Sequence, residues 1–159
     1  MSSNATLVGI ALILVIAIPI IYAIVKSKAS ARKTEKLTAS LIEQNQLNPT
    51  DLYDDLGNQN FILDTNAKKL LHLEVLKSKI TQQHLWDINN LKIIKADYSH
   101  YTSPSNQSII DKIILNISPK DGDKITIEIY DENTGNMSKA DDYKNAVENL
   151  VSKVNSLRS

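Results

Sequence analysis

The sequence predicts an α+β protein with an N-terminal transmembrane helix, a small antiparallel sheet of five to seven strands and a C-terminal amphipathic helix that closes the sheet. Three observations predict this order. An uncharged apolar run opens the chain, and from residue 60 apolar and polar side chains alternate with the two-residue period of strands. From residue 140 onward, apolar side chains recur every three or four positions, as on one face of a helix.

Residues 7–25 form the apolar run, which is 19 residues long and contains no charged side chain. At 1.5 Å per residue a helix of this length covers about 28 Å, close to the roughly 30 Å hydrocarbon core of a bilayer. Unpaired backbone amides are costly in lipid, so a spanning segment must be helical despite its Ile and Val content. The run therefore predicts a single transmembrane helix.

Charge is distributed unequally across this run. Residues 1–6 carry no charged side chain, whereas the other flank carries the five basic residues Lys26, Lys28, Arg32, Lys33 and Lys36. The positive-inside rule therefore predicts an extracytoplasmic N-terminus and a cytoplasmic C-terminal domain in a cell inner membrane or plasma membrane. The alternative is a cleaved signal peptide with a site at residues 29–31, which would leave a secreted or periplasmic domain.

Four regions follow from these features. They are a short extracytoplasmic N-terminus (1–6), the transmembrane helix (7–25), a basic juxtamembrane helical linker (26–47) and a cytoplasmic α+β domain (48–159). All charged side chains lie after residue 25, and the 18 basic and 18 acidic residues balance, which argues against nucleic-acid binding. The chain has no cysteine, which excludes disulfides and thiolate metal sites.

Two helices are expected before the sheet. In the linker, Leu37, Leu41 and Ile42 have the spacing of a weakly amphipathic helix that would hold the domain away from the bilayer. Pro49 follows an Asn, a favourable cap, and Gly57 is a favourable C-terminal stop. Residues 48–56 are therefore predicted to form a second, short helix.

The strands are expected from residue 60 to about residue 129. Residues 61–63 and 69–76 predict two strands joined by a tight turn, with Leu71, Leu73 and Val75 on the face opposite His72 and Glu74. A polar break at 77–83 precedes a short strand at 84–88. The remaining strands are predicted at the following positions: 91–98, with an extension toward 101, then 109–117 and 125–129.

The last two strands and the tail carry the clearest patterns. The pair Asp121 and Gly122 is typical of a hairpin turn, and Ile125, Ile127 and Ile129 alternate after it. Residues 140–157 predict an amphipathic helix whose stripe must be buried against the sheet. The stripe consists of Tyr143, Val147, Leu150, Val151, Val154 and Leu157.

This order, an antiparallel meander followed by one helix, resembles the pleckstrin-homology-like superfold over residues 60–157. The resemblance implies a bent sheet closed at one end by the final helix. The stretches 110–113 and 127–131 before a tail helix also resemble small uncharacterised single-pass bacterial membrane proteins. That second resemblance carries no activity.

No catalytic constellation accompanies these elements. His72, His84 and His100 are 12 and 16 residues apart and fit no metal motif, so they are expected to be strand or loop histidines. Neither a phosphate-binding glycine loop nor a nucleophile elbow occurs. The sequence therefore predicts no enzyme, no metal and no cofactor.

The function expected from the sequence is a non-catalytic binding domain on a single-pass membrane protein, which binds a protein partner or membrane headgroups. The alternative is a structural subunit of a larger membrane assembly. The headgroup version predicts a basic cluster at one end of the sheet, formed by Lys68, Lys69, Lys77 and Lys79. The juxtamembrane residues Lys26, Lys28, Arg32, Lys33 and Lys36 would add attraction to anionic headgroups.

Overall fold

The computed structural model describes residues 32, 34–134 and 137–158. A helix, α1, covers residues 34–44. Seven strands and a C-terminal helix follow it in the order β1 (Asp51–Leu56), β2 (Gln59–Asp64), β3 (Lys69–Leu76), β4 (Lys79–Asp87), β5 (Leu91–Thr102), β6 (Ser108–Pro119), β7 (Ile125–Asp131) and α2 (Ala140–Arg158).

The seven strands form two antiparallel sheets. The first contains β1, β2, β3 and β4 in chain order, and the second contains β5, β6 and β7 in chain order. Every neighbouring pair within a sheet is a hairpin, and a single 3₁₀ turn, Ile88–Asn90, carries the chain from one sheet to the other. Both sheets are thus simple meanders in which pairing is local along the chain.

One hydrophobic core lies between the sheets and under α2. The first sheet contributes Phe61, Leu63 and Leu70, which are fully buried, and the second contributes the alternating residues of β6 and β7. Helix α2 buries Tyr143, Val147, Leu150 and Val154, and it contacts β1 as well as β5, β6 and β7. The amphipathic stripe of the tail therefore covers both sheets, since its residues recur every three or four positions.

A second, smaller core covers the outer face of the first sheet. Ile62, Leu71 and Leu73 are fully buried there, and Leu41 and Ile42 of α1 pack against them. Both faces of β3 are consequently buried, since Leu71 and Leu73 lie under α1 while Leu70 and His72 face the main core. Helix α1, which lies within the predicted linker, therefore packs on the first sheet.

The predicted fold class is wrong in its sheet, and its first helix has no support in the structure. The strands form two sheets rather than one, because the 3₁₀ turn after β4 separates β5 from the first meander. The structure also offers no support for the transmembrane helix. No helix in the described ranges is both long enough and apolar enough to span a bilayer. The predicted segment, residues 7–25, lies outside those ranges.

Two predictions about single elements also need correction. Residues 51–56 form strand β1 rather than a helix, because Leu52 and Tyr53 pair with Ile62 and Phe61 of β2 and gain a place in the sheet. Strand β4 starts at Lys79 instead of residue 84, since its polar residues pair with β3 along an exposed edge. The expected strands at 61–63, 69–76, 109–117 and 125–129 and the tail helix are confirmed.

Candidate functional site

A cleft of about 390 Å³ opens between the two sheets at the end where β1 turns into β2. The turn and the first sheet contribute one wall, and β7, the loop after it and α2 contribute the other. The lining residues are Gly57, Asn58, Gln59, Glu74, Glu128, Ile129, Tyr130, Asp131, Thr134 and Tyr143. The sequence analysis did not predict this site.

Gly57 forms the turn at the edge of the first wall. It occupies the first position of the two-residue turn between β1 and β2 with a φ of +68°, the backbone conformation that glycine adopts without strain. A Cβ at this position would lie 3.4 Å from the carbonyl oxygen of Ile129 on the opposite wall. A Cβ would fit there in ordinary van der Waals contact, so the positive φ is the reason for glycine at this position.

A β-bulge in β7 shapes the second wall. Ile113 of β6 pairs with Tyr130 whereas Ile114 pairs with Glu128, so Ile129 is the extra residue between them. A bulge interrupts the alternation of side chains. As a result Ile129 and Tyr130 are both buried, and Tyr130 meets Tyr143 of α2 edge to face at 6.1 Å.

The lining is rich in carboxylates. Glu74 stands on the first wall, and Glu128 and Asp131 stand on the second. The Lys112 ammonium lies 2.6 Å from Glu128 and 3.5 Å from Asp131, and the bond to Glu128 is the main cause of its raised pKa. Asn133 donates to Asp131 through its backbone and side chain, which lowers the pKa of that carboxyl. The lining residues thus include three carboxylates and no basic side chain, and Lys112 pairs with two of the three.

Tyr130 adds a buried hydroxyl to this lining. Its side chain is 3% exposed, and its Oη is buried without a hydrogen-bond partner among the described residues. Burial, followed by the charges of Glu132, Asp131 and Asp111, raises the pKa of the hydroxyl, so the group keeps its proton. A buried hydroxyl normally has a hydrogen-bond partner, so this unpaired one beside the cleft requires an explanation.

Gln59 lines the cleft and joins it to a buried histidine. His72 is 1% exposed, and its Nε2 lies 2.7 Å from Oε1 of Gln59. The ring stacks between Phe61 at 4.8 Å and His84 at 5.8 Å, and His84 in turn stacks on Trp86. Burial, assisted by the charge of His84, lowers the pKa of His72 to about 4, so the imidazole is neutral near pH 7.

The arrangement suits the binding of a cation. Carboxylates accept hydrogen bonds and attract ammonium or guanidinium groups, while the neutral Gln59 can direct the ligand. Within the described residues no group of three or more His, Cys, Asp or Glu side chains is placed to hold a metal ion.

The structure does not bring the predicted headgroup contacts together. Lys69 begins β3 and Lys68 directly precedes it, whereas Lys77 lies in the turn after β3 and Lys79 begins β4. Eight residues of strand at about 3.3 Å each separate the two pairs by roughly 25 Å. Arg32 and Lys36 are exposed at the start of α1. Lys26, Lys28 and Lys33 lie outside the described ranges.

Sequence reasoning missed the cleft residues because each has an ordinary explanation in its own strand. Glu74 and Glu128 read as the polar positions of alternating strands, and Gln59 precedes the first predicted strand. The available signal was Gly57 in front of a strand, which indicates a tight turn as well as a helix stop.

Comparisons with protein-family models, curated proteins and solved structures found no match.

Proposed function

We propose that this domain is a non-catalytic binding module for a protein partner, and that a basic side chain of the partner enters the cleft between the sheets. The observation that carries the proposal is a concave site lined by Glu74, Glu128 and Asp131 next to the buried, unpaired hydroxyl of Tyr130. The resemblance to the pleckstrin-homology-like superfold stays a proposal about the fold, since the seven antiparallel strands before the final helix form two sheets. A role in binding rests on this site rather than on the fold.

Charge favours a protein partner over membrane headgroups. Two unit charges about 4 Å apart near a protein surface interact with roughly 4 kcal/mol, so the carboxylates attract a lysine or arginine and repel a phosphate. The candidate headgroup contacts Lys68 and Lys69 are separated from Lys77 and Lys79 by the length of β3. Four lysines divided in this way do not form a pocket for one phosphate.

Peptide titration tests the proposal. The uniformly ¹⁵N-labelled full chain is titrated with acetyl-Gly-Lys-Gly-amide and with acetyl-Gly-Glu-Gly-amide, and amide shifts are followed. We expect the lysine peptide to shift the amides of Gly57, Gln59 and Tyr130, and the glutamate peptide to leave them unchanged. Glu74→Gln and Glu128→Gln should each weaken binding about tenfold, as expected for a hydrogen bond between charged groups.

The matched control is Glu43→Gln, which removes the same charge from an exposed position on α1. Equal binding of both peptides, or equal losses in Glu43→Gln and Glu74→Gln, would contradict a site in the cleft. Binding of phosphatidylserine vesicles that disappears when Lys68, Lys69, Lys77 and Lys79 become glutamine would favour headgroups instead. The cytoplasmic location and the role of a structural subunit stay predictions.

A further inference from the structure

We infer that Gln59, oriented by the buried His72, is the specificity-determining residue of the cleft, and that the ligand is a basic residue within a peptide rather than a free amine. This inference rests on the proposed function and names its ligand more closely. A lysine or arginine within a peptide has a backbone carbonyl oxygen, a hydrogen-bond acceptor, on the same residue as its cationic side chain. The cleft offers carboxylates for the cation and the Gln59 amide nitrogen for the acceptor.

The position of His72 is fixed by strand pairing. It pairs with Phe61 of β2 on one side and with His84 of β4 on the other, so its ring is held between theirs. Almost no surface of His72 is exposed. A ring confined in this way has one available orientation, and its Nε2 faces Gln59.

The hydrogen-bonding pattern then determines the imidazole tautomer. The Nδ1 atom of His72 is buried and has no partner among the described residues. A buried N–H without an acceptor is rarer and costlier than a buried acceptor without a donor, so the proton belongs on Nε2. Nε2–H therefore donates to Oε1 of Gln59 at 2.7 Å.

This bond also determines which way the Gln59 amide faces. Because Oε1 accepts from His72, the NH₂ group must occupy the other position of the half-buried side chain, which lines the cleft. The cleft thus contains one fixed amide donor among its carboxylates.

Other titratable groups surround this pair on each neighbouring element. His84 faces His72 from β4, and Glu74 lies two residues further along β3. Across the cleft, Glu128, Asp131 and Tyr143 line the wall opposite Gln59. The carboxylates are the groups that a cationic ligand would neutralise, whereas the amide donor responds only to an acceptor on the ligand.

Discrimination between two probes tests the inference. The full chain is titrated with acetyl-Gly-Lys-Gly-amide and with pentylamine, which carries the same ammonium without a carbonyl. We expect the peptide to bind about fivefold more tightly, the worth of one neutral hydrogen bond. Gln59→Glu keeps an oxygen that can accept from His72 but removes the amide NH₂ donor, so the preference for the peptide should disappear. Because the variant adds a negative charge, pentylamine should bind more tightly.

Gln83→Glu is the matched control, since it adds the same charge at an exposed position of β4, whose neighbour in the sheet is Leu73. It should retain the fivefold preference. A second measurement, the ¹⁵N chemical shifts of the His72 imidazole in the unmodified chain, should show the proton on Nε2. A proton on Nδ1 at neutral pH would overturn the inference.

The outcomes separate this inference from the proposed function. Equal affinity of the unmodified chain for both probes, combined with a loss in Glu74→Gln, would overturn the role of Gln59 and leave the cation site intact. No binding of either probe would overturn both.

Discussion

His72 is an ionisable residue in a buried environment. The side chain is buried among aromatic rings, one ring nitrogen bonds Gln59, and the other has no described partner. Charging such a ring requires the burial of a cation with one unsatisfied N–H, which explains why burial depresses its pKa to about 4. The same property that orients Gln59 therefore makes the fold sensitive to acid.

We predict that stability falls between pH 6.5 and about pH 4 because of His72. In this window the unfolded chain binds a proton at His72 and the folded chain does not, so stability is full above pH 6.5 and decreases as pH falls. The difference between the two pKa values corresponds to about 3 kcal/mol at most. Urea unfolding across this range should show the loss in the unmodified chain and in His100→Asn, and a shallower slope in His72→Phe. Equal slopes in all three chains would contradict the prediction.

At the scale of elements, the hairpin turns determine the register of the first sheet. The β1–β2 turn uses glycine at its positive-φ position, but the β3–β4 turn places Lys77 at φ +50° and Ser78 at φ +59°. Two consecutive positive φ values define a type I′ turn, for which Asn and Gly are the favoured residues. A lysine in this conformation carries a steric cost that asparagine largely avoids.

We therefore expect Lys77→Asn to stabilise the protein by about 0.5–1 kcal/mol. The control is Lys79→Asn, which removes the same charge from an exposed strand position where asparagine is unfavourable. Thermal unfolding should show a raised midpoint for Lys77→Asn and an unchanged or lowered one for Lys79→Asn. Equal shifts would show that charge, and not turn geometry, is responsible.

At the scale of the whole molecule, two layers cover the first sheet. Its inner face shares one core with the second sheet and α2, and its outer face is covered by α1. An ion pair between Lys153 and Asp51 further joins α2 to β1. The segment before the strands is therefore as much part of the folded unit as the tail helix.

We expect Ile42→Asn to destabilise the full chain by about 1–3 kcal/mol, because it places an amide against the buried Ile62, Leu71 and Leu73. Glu43→Asn changes the neighbouring exposed position and should cost less than about 0.5 kcal/mol. Urea unfolding of the two variants measures the difference. A small effect of Ile42→Asn would indicate that α1 is dispensable for the fold.

Patterns within one element were predictable, and relations between elements were not. The stripe of α2 and the alternation around Gly122 are repeated signals, so the helix and the β6–β7 hairpin were predicted correctly. Residues 51–56 were misread because Asn, Pro and Gly at their ends fit a helix, while pairing with β2 decided the outcome. The cleft combines residues from β2, β3 and β7, so it depends on how two sheets meet, which no local period encodes.

At Gly57, main-chain atoms face each other across the gap between the two sheets. With only a hydrogen on its Cα facing the carbonyl of Ile129, no rotamer can adjust the spacing there. An alanine Cβ would meet that carbonyl in ordinary van der Waals contact, so the need for glycine comes from the φ of +68°. An alanine would therefore strain the turn that presents Asn58 and Gln59 to the cleft, and this one position would alter ligand affinity without touching the ligand.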